Sequence, residues 1–189
     1  MAMRDAESLA LPMARQREPR RGADAALLRA IDRGDQAALA ELFSRHWPAI
    51  HRAAWLVTHD PQAAEDIAQE AFLAALQRLE SFDRRRPFAP WLHRIVVNRA
   101  IDFVRARAAR REVASPMLPE PPAEVRRALD DDTLRALARL GPEQRAVVVL
   151  RHLLGYTPGQ IATLLDLPRG TVNSRLRRAL DALAGELRQ

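Results

Sequence analysis

The stretch from Tyr156 to Leu183 constrains the fold of this chain more than any other part of the sequence. Thr157 and Gln160 have the spacing of a capping box, and Pro158 stands between them at the first helical position, so a short helix begins here. The segment from Asp166 to Gly170 contains a proline and a glycine and cannot continue that helix. The stretch therefore predicts two helices joined by a tight corner.

The second of these helices is amphipathic. Its apolar positions are Val172, Leu176, Ala179, Leu180 and Leu183. The opposite side carries Thr171, Asn173, Ser174, Arg177 and Arg178. A capped helix, a corner and a helix with outward arginines are typical of a helix-turn-helix, whose second helix enters the major groove of DNA. On this stretch alone, a helical hairpin with a solvated basic face is the alternative.

Composition favours an all-α fold and a polyanionic partner. Apart from the valine run at 147–149, the chain has almost no strand signature, and its formal net charge is +6. The absence of cysteine fits a reducing cytoplasm and excludes thiolate chemistry. The five histidines lack metal-ligand spacing, and no nucleophile motif or phosphate loop occurs, so the sequence indicates no enzyme, metal or cofactor. No apolar run is long enough to span a bilayer, and no signal peptide is expected.

Helical patterns fill the N-terminal half. Asp35 and Asp60 stand at predicted helix N-caps, and Pro61 follows the second of them at a first-turn position. Pro48 falls inside the helical pattern that Asp35 begins, so we expect it to kink or split that helix. The aromatic residues of this helix are most simply core.

Acidic residues are concentrated between Asp60 and Glu80, where five acids accompany a single arginine. Asp66, Gln69 and Glu70 lie together on one side of the predicted helix. A solvated acidic face is the common explanation for such a cluster, and a docking surface for a basic partner is the more specific hypothesis.

The charge reverses in the next segment. Between Arg84 and Arg111 there are nine arginines and one acid, interspersed with aromatic rings. Rings interleaved with guanidinium groups suit single-stranded nucleic acid, because rings stack on exposed bases while cations hold phosphates. The equal alternative is that Phe88 and Trp91 belong to the core.

Four prolines between Ala114 and Pro122 predict an extended linker, so the chain should form two helical domains that can sit apart. We expect a disordered basic tail at 1–22, a first domain at 23–111, the linker at 112–122 and a second domain at 123–189. In the second domain, residues 143–154 are predicted to be helical despite the valine run.

Three separated motifs resemble those of the extracytoplasmic-function sigma factors, the minimal group of the sigma-seventy family of bacterial transcription initiation factors. They are DPQAAEDIAQEAFLAAL at 60–76, FDRRRPFAPWLHRIVVNRAIDFVR at 82–105 and LGPEQRAVVVLRHLLGYTPGQIATLLDLPRGTVNSRLRRA at 140–179. Together with the domain order and the linker, they cover nearly everything after the tail. A lone helix-turn-helix is a weak signal, whereas all three motifs in this order are specific.

The resemblance implies a set of partners. In the family, the acidic helix docks on the clamp helices of the largest subunit of core RNA polymerase, and Asp66, Gln69 and Glu70 stand at those positions. The second domain binds the flap of the second-largest subunit. An anti-sigma factor commonly restrains such proteins, so one is expected among the partners, and no membrane insertion of this chain is expected.

The resemblance also implies two contacts with promoter DNA. Recognition and melting of the minus-ten element fall to Phe82, Arg84, Arg85, Arg86, Phe88, Trp91, Arg94, Asn98 and Asp102. Recognition of the minus-thirty-five element falls to Arg169, Thr171, Asn173, Ser174, Arg175, Arg177 and Arg178. On the helical wheel, Ser174 and Arg178 point away from the core and suit base contacts, while Arg169, Thr171 and Arg175 lie nearer the rim and suit phosphates.

Three features depart from the family pattern. Gln160 replaces a common Glu but keeps the capping box, and Asp166 stands where Gly is frequent. Because Asp tolerates the left-handed conformation better than most residues, the corner should survive. Arg84 and Arg85 make the promoter loop unusually basic.

A stand-alone helix-turn-helix regulator, such as a response regulator, is the main competing hypothesis. It explains the last stretch but not the acidic helix or the arginine-aromatic segment before it. A protein-interaction adaptor would not need the outward arginines of the last helix.

Overall fold

The computed structural model describes residues 21–110 and 119–188, and within these ranges it contains nine α-helices and no β-strand. The helices are α1 (Arg21–Ile31), α2 (Gln36–Thr58), α3 (Pro61–Gln77), α4 (Phe88–Ala109), α5 (Ala123–Ala128), α6 (Asp131–Arg139), α7 (Pro142–Val148), α8 (Pro158–Leu165) and α9 (Arg169–Glu186). Residues 1–20 of the expected tail and most of the expected linker lie outside the described residues, and α1 begins at Arg21, two residues before the expected start of the first domain.

Helices α1 to α4 form the N-terminal half, in which α2, α3 and α4 pack on one another and α1 lies against α2. Both predicted N-caps are present. An oxygen of Asp35 accepts hydrogen bonds from two backbone amides at 2.9 and 3.1 Å, and Asp60 accepts one from Ala63 at 3.0 Å. The split expected at Pro48 is absent, since α2 runs through it as one helix of 23 residues.

Helix α1 is fixed to α2 by a buried carboxylate. Asp24 is 5% exposed, and its two oxygens contact Arg45 at 2.8 Å and His46 at 3.2 Å. Burial raises the pKa of Asp24, but the hydrogen bonds and positive charge of His46 and Arg45 outweigh it, so the pKa lies below its ordinary value. Asp24 is therefore ionised at neutral pH, and its single carboxylate fixes the side chains of both Arg45 and His46.

Helices α5 to α9 form the C-terminal half, in which α6, α7 and α8 all contact α9. The valine run is helical, as predicted, although α7 passes into a π turn at Val149–Leu153. Gly155 follows with a φ of 73°, a conformation that favours glycine and ends the helical segment.

The two halves are packed together. Helices α4 and α2 contact α7, α4 also contacts α8, and the buried apolar residues of both halves form one cluster. Three polar contacts cross this boundary: Arg145 with the end of α2, His93 with Tyr156, and Arg105 with Glu143. The predicted pair of helical domains is thus observed in contact with each other.

Two imidazoles at this boundary are held neutral. Burial, assisted by the charges of His46 and Arg52, lowers the pKa of His93 from 6.5 to about 3. Burial and the nearby Arg145 likewise lower the pKa of His59 to about 3. Because the unfolded chain binds protons at these groups below pH 6.5 and the folded chain does not, the stability they contribute is present above pH 6.5 and is lost as the pH falls towards 3.

We therefore expect acidification from pH 6.5 to pH 5 to lower the free energy of unfolding by about 2 kcal/mol for each of these histidines. Urea unfolding followed by circular dichroism at several pH values measures this loss. Replacing His93 by Gln should remove the share of this loss that His93 contributes, about 2 kcal/mol. An unchanged dependence in that variant would show that His93 is not the group responsible.

Candidate nucleic-acid interface

The corner between α8 and α9 has the geometry expected from its sequence. The Thr157 amide donates to the Gln160 side chain at 2.8 Å, and the Gln160 amide donates to the Thr157 hydroxyl at 3.3 Å, which completes the capping box. At the other end of α8, Asp166 adopts the left-handed conformation with a φ of 55°. The chain then turns through Leu167 and Pro168 into α9, so the two helices form the predicted helix-turn-helix.

Helix α9 buries one side and exposes the other. Its buried residues are Val172, Leu176, Ala179 and Leu183. Of the predicted DNA contacts, Arg169, Asn173, Arg177 and Arg178 are exposed, while Thr171, Ser174 and Arg175 are half-buried. All seven therefore lie on or beside one solvent-facing surface of α9.

The arginines of α9 differ in what they contact. Arg178 reaches back only to Ser174 of its own helix, through two hydrogen bonds of 3.4 Å. Within residues 21–110 and 119–188, neither Arg169, Arg177 nor Arg178 forms an ion pair with a carboxylate. Arg175 is close enough to Glu143 to help lower the pKa of that carboxylate. Three guanidinium groups are thus uncommitted and available for phosphates or base edges.

The aromatic part of the arginine-aromatic segment is largely core. Phe82 is 7% exposed and Phe88 is 1% exposed. Trp91 is half-buried and stacks on Phe82, with ring centroids 4.6 Å apart. In this conformation neither phenylalanine can stack on a base, and Trp91 is the partly exposed member of the cluster. The alternative that the rings are core applies to Phe82 and Phe88 here, and their role in base capture stays a prediction.

The three consecutive arginines lie on the surface beside this cluster. Arg84 donates to Asp32 at 2.7 Å, whereas Arg85 and Arg86 are exposed. Together with Asp24 and Leu28 of α1 they line an open cleft, in which Phe88 also takes part. The cleft thus combines the exposed Arg85 and Arg86 with the carboxylate of Asp24 and with an arginine that is already paired with Asp32.

The outer side of α4 continues from the cleft. Trp91, Arg94, Asn98 and Asp102 follow one another at intervals of three or four residues, so they form one stripe along the helix. Arg94 and Asp102 are exposed, and Asn98 is half-buried. The structure thus brings the predicted minus-ten residues together, except that two of the rings face inwards.

The acidic side of α3 is a separate surface. Asp66, Gln69 and Glu70 are all exposed, as expected for a docking surface. Glu70 pairs with Arg99 of α4, so one acid is partly neutralised. Leu73, one turn further on, is 57% exposed and was not predicted. Its position could have been inferred from the sequence, because Leu73 follows Glu70 by three residues and Gln69 by four and therefore lies on the same side of the helix.

Comparison with known proteins agrees with this geometry. The model of sigma-70 region 2 matches residues 42–110, and that of sigma-70 region 4 matches residues 130–183. The ECF RNA polymerase sigma factor SigM of Mycobacterium tuberculosis is 39% identical over 164 residues, covering 85% of this chain and 83% of SigM. SigW of Bacillus subtilis, also an ECF RNA polymerase sigma factor, is 32% identical over 178 residues, covering 85% of this chain and 95% of SigW.

This chain belongs to the ECF sigma factors of the sigma-70 family. Its fold is also that of CnrH, solved in complex with the cytosolic domain of CnrY, with a TM-score of 0.66 and 31% identity. That match covers 87% of this chain and 97% of CnrH.

The region 2 match of this sigma factor contains the acidic side of α3 and the whole of α4, and the region 4 match contains the helix-turn-helix. No group of side chains in the described part of the chain could hold a metal ion. Among the helices described, none has the length and apolar character needed to cross a membrane.

The sequence did not indicate the residues that join the two regions of the sigma factor. Arg145, which is 6% exposed, lies in a segment whose sequence predicts only a helix, and the sequence marks Tyr156 only as the start of the corner. Their partners lie 63 to 88 residues away in the chain, so no local pattern could have identified them.

Proposed function

We propose that this sigma factor binds core RNA polymerase through α3 and directs it to promoters through two DNA contacts, one on each half. Asp66, Gln69 and Glu70 dock on the clamp helices of the largest subunit. The C-terminal half binds the flap of the second-largest subunit and recognises the minus-thirty-five element with α9. The arginine-aromatic segment and the stripe on α4 recognise and open the minus-ten element.

The observation that supports this proposal best is the separation of opposite charges between exposed surfaces. The acidic side of α3 suits a cationic protein surface, whereas the uncommitted arginines of α9 suit a DNA groove. A stand-alone regulator would need the second surface but not the first. The proposal places the protein in the cytoplasm, assigns it no catalytic chemistry, and includes an anti-sigma factor among its partners.

Reversing charge on α3 tests the contact with polymerase. Replacing Asp66 and Glu70 together by Arg should weaken binding to bacterial core polymerase by at least about a hundredfold, because cations would then face a cationic surface. In run-off transcription, the wild-type chain should confer start-site selection and the double variant should not. Glu80→Arg, which reverses an exposed acid outside this surface, is the matched control. Retained binding by the double variant would remove the docking role of α3.

Arg178 and Arg169 test how α9 reads DNA. With polymerase present, Arg178→Ala should cost about 1–3 kcal/mol at the cognate minus-thirty-five element and lose discrimination at one base pair. Arg169→Ala should weaken binding about equally on all sequences, because a phosphate contact positions without specifying. Dissociation constants on a set of single-base-pair promoter variants separate the two outcomes. Uniform weakening by Arg178→Ala would make that residue a phosphate contact.

Replacing Trp91 tests its proposed role in opening the minus-ten element. Because a base stacked on an aromatic ring gains about 1–3 kcal/mol, Trp91→Ala should reduce the opened fraction of promoter complexes by about fivefold or more. Trp91→Phe keeps a ring and should retain most of the opening. Permanganate reactivity of unpaired thymines measures the opened fraction. Normal opening by the folded Trp91→Ala protein would make Trp91 a core residue only.

A further inference from the structure

The promoter loop, residues 83–87, contains a tight turn and leads into α4. The carboxylate of Asp83 accepts a hydrogen bond from the amide of Arg85 at 3.0 Å, and its carbonyl accepts one from the amide of Arg86 at 2.9 Å. An aspartate at the first position of a turn commonly stabilises it in this way. The two central residues of the turn are therefore Arg84 and Arg85.

Arg84 is turned toward the protein, whereas Arg86 is turned toward solvent. The Arg84 side chain is 33% exposed and the Arg86 side chain is 77% exposed. Nη2 of Arg84 donates to Oδ1 of Asp32 at 2.7 Å, and its Nη1 is buried. Because one amino nitrogen is paired and the other is buried, little of this guanidinium is left for a phosphate, although Arg84 is among the predicted minus-ten contacts.

Asp32 directly follows α1, so its pair with Arg84 ties the promoter loop to that helix. The Asp32 amide donates to the carbonyl of Leu28 at 3.1 Å, which continues the hydrogen bonding of α1 by one residue. A carboxylate at the C-terminal end of a helix is disfavoured by the helix dipole, whereas a guanidinium at the same end is favoured. Arg84 therefore compensates both the carboxylate and the end of the helix.

Helix α1 is a firm support for this pair. Leu28 is 3% exposed, and Asp24 fixes the helix to α2. The same two residues line the cleft beside the promoter loop. Helix α1 lies outside residues 42–110, which match sigma-70 region 2, whereas the promoter loop lies inside them. The pair thus connects the promoter loop to an element outside the region 2 match.

We propose that Asp32 and Arg84 are positioning residues for the minus-ten element. Their ion pair holds the promoter loop against α1, so that Arg85 and Arg86 meet DNA from a fixed backbone. Arg84 then acts through the loop and not by contacting a phosphate. This inference rests on the proposed function for what the loop binds, whereas the effect of the pair on the loop is a property of the free protein.

A positioning role and a phosphate contact of Arg84 lead to opposite results when Asp32 is neutralised. If the pair positions the loop, Asp32→Asn releases the loop and weakens binding at the minus-ten element. If Arg84 contacts a phosphate, Asp32→Asn frees its guanidinium and removes a negative charge near the DNA, so binding is unchanged or stronger.

The test measures dissociation constants of the holoenzyme, formed with bacterial core polymerase, on a promoter that the wild-type holoenzyme selects in run-off transcription. Asp32→Asn and Arg84→Gln should each weaken binding about threefold, as expected for a partly exposed ion pair, and the combined variant should be no weaker than either one. Discrimination among single-base-pair promoter variants should fall at the minus-ten element and persist at the minus-thirty-five element. Unchanged or stronger binding by Asp32→Asn, or additive effects of the two substitutions, would overturn the proposal.

Two control variants separate positioning from a simple change of charge. Glu80→Gln removes an exposed carboxylate shortly before the promoter loop and should not weaken binding. Asp32→Glu keeps a carboxylate at the end of α1, where the side chain of Asp32 is 49% exposed, and should retain most of the affinity. If either control weakened binding as much as Asp32→Asn, the assignment would be wrong.

Hydrogen exchange in the free protein gives a measurement that needs neither polymerase nor promoter. Asp32→Asn should speed exchange of the Arg85 and Arg86 amides about threefold, because a loop released from α1 opens more often. Amides of α9 should keep their wild-type rates, which shows that the variant is folded. Wild-type rates in the loop of the variant would overturn the proposal. If loop exchange rises but the wild-type holoenzyme selects no promoter, the positioning of the loop stands and the proposed function falls.

Discussion

The guanidinium of Arg145 is the interaction on which the arrangement of this molecule depends. It is a buried cation with no carboxylate among its hydrogen-bond partners, and three carbonyls and an imidazole take that place. Burial and the charge of Arg107 lower its pKa to about 10, so it remains charged at neutral pH. Such a charge is tolerated because the C-terminal ends of α2 and α6 both point their partial negative charge at it. A neutral side chain here would leave two helix ends uncapped.

The sigma factor uses different residues to join its two halves and to form the exposed surfaces that are proposed for binding. The surfaces proposed for binding, the acidic side of α3 and the outer side of α9, lie away from Arg145 and are exposed while the halves are in contact. Both of these surfaces are therefore accessible while the two halves are packed together. The residues that join the two halves and the residues proposed for binding are therefore different sets.

Local features were predictable from the sequence, and distant contacts were not. The caps at Asp35 and Asp60, the capping box at Thr157 and the left-handed Asp166 depend on neighbours within a few residues, so their chemistry is visible in the sequence. The side of α9 that carries arginine follows from helical periodicity. By contrast, the contact of Arg145 with α2 joins residues 88 apart. Periodicity also could not distinguish a ring in the core from a ring on the surface, because both positions accept aromatic residues in an amphipathic helix.

If the arginine-aromatic segment opens the minus-ten element as proposed, the burial of Phe82 and Phe88 limits how it can do so. Withdrawing one of these rings from the core costs about 1.5–3 kcal/mol of hydrophobic stabilisation. Stacking a base on an aromatic ring returns about 1–3 kcal/mol, so capture of a base by Phe88 has almost no net driving force. Trp91 is already partly exposed and stacks on Phe82, so contact with a base would not require the same loss. The two buried phenylalanines then contribute indirectly, because they fix the orientation of Trp91 beside the exposed Arg85, Arg86 and Arg94.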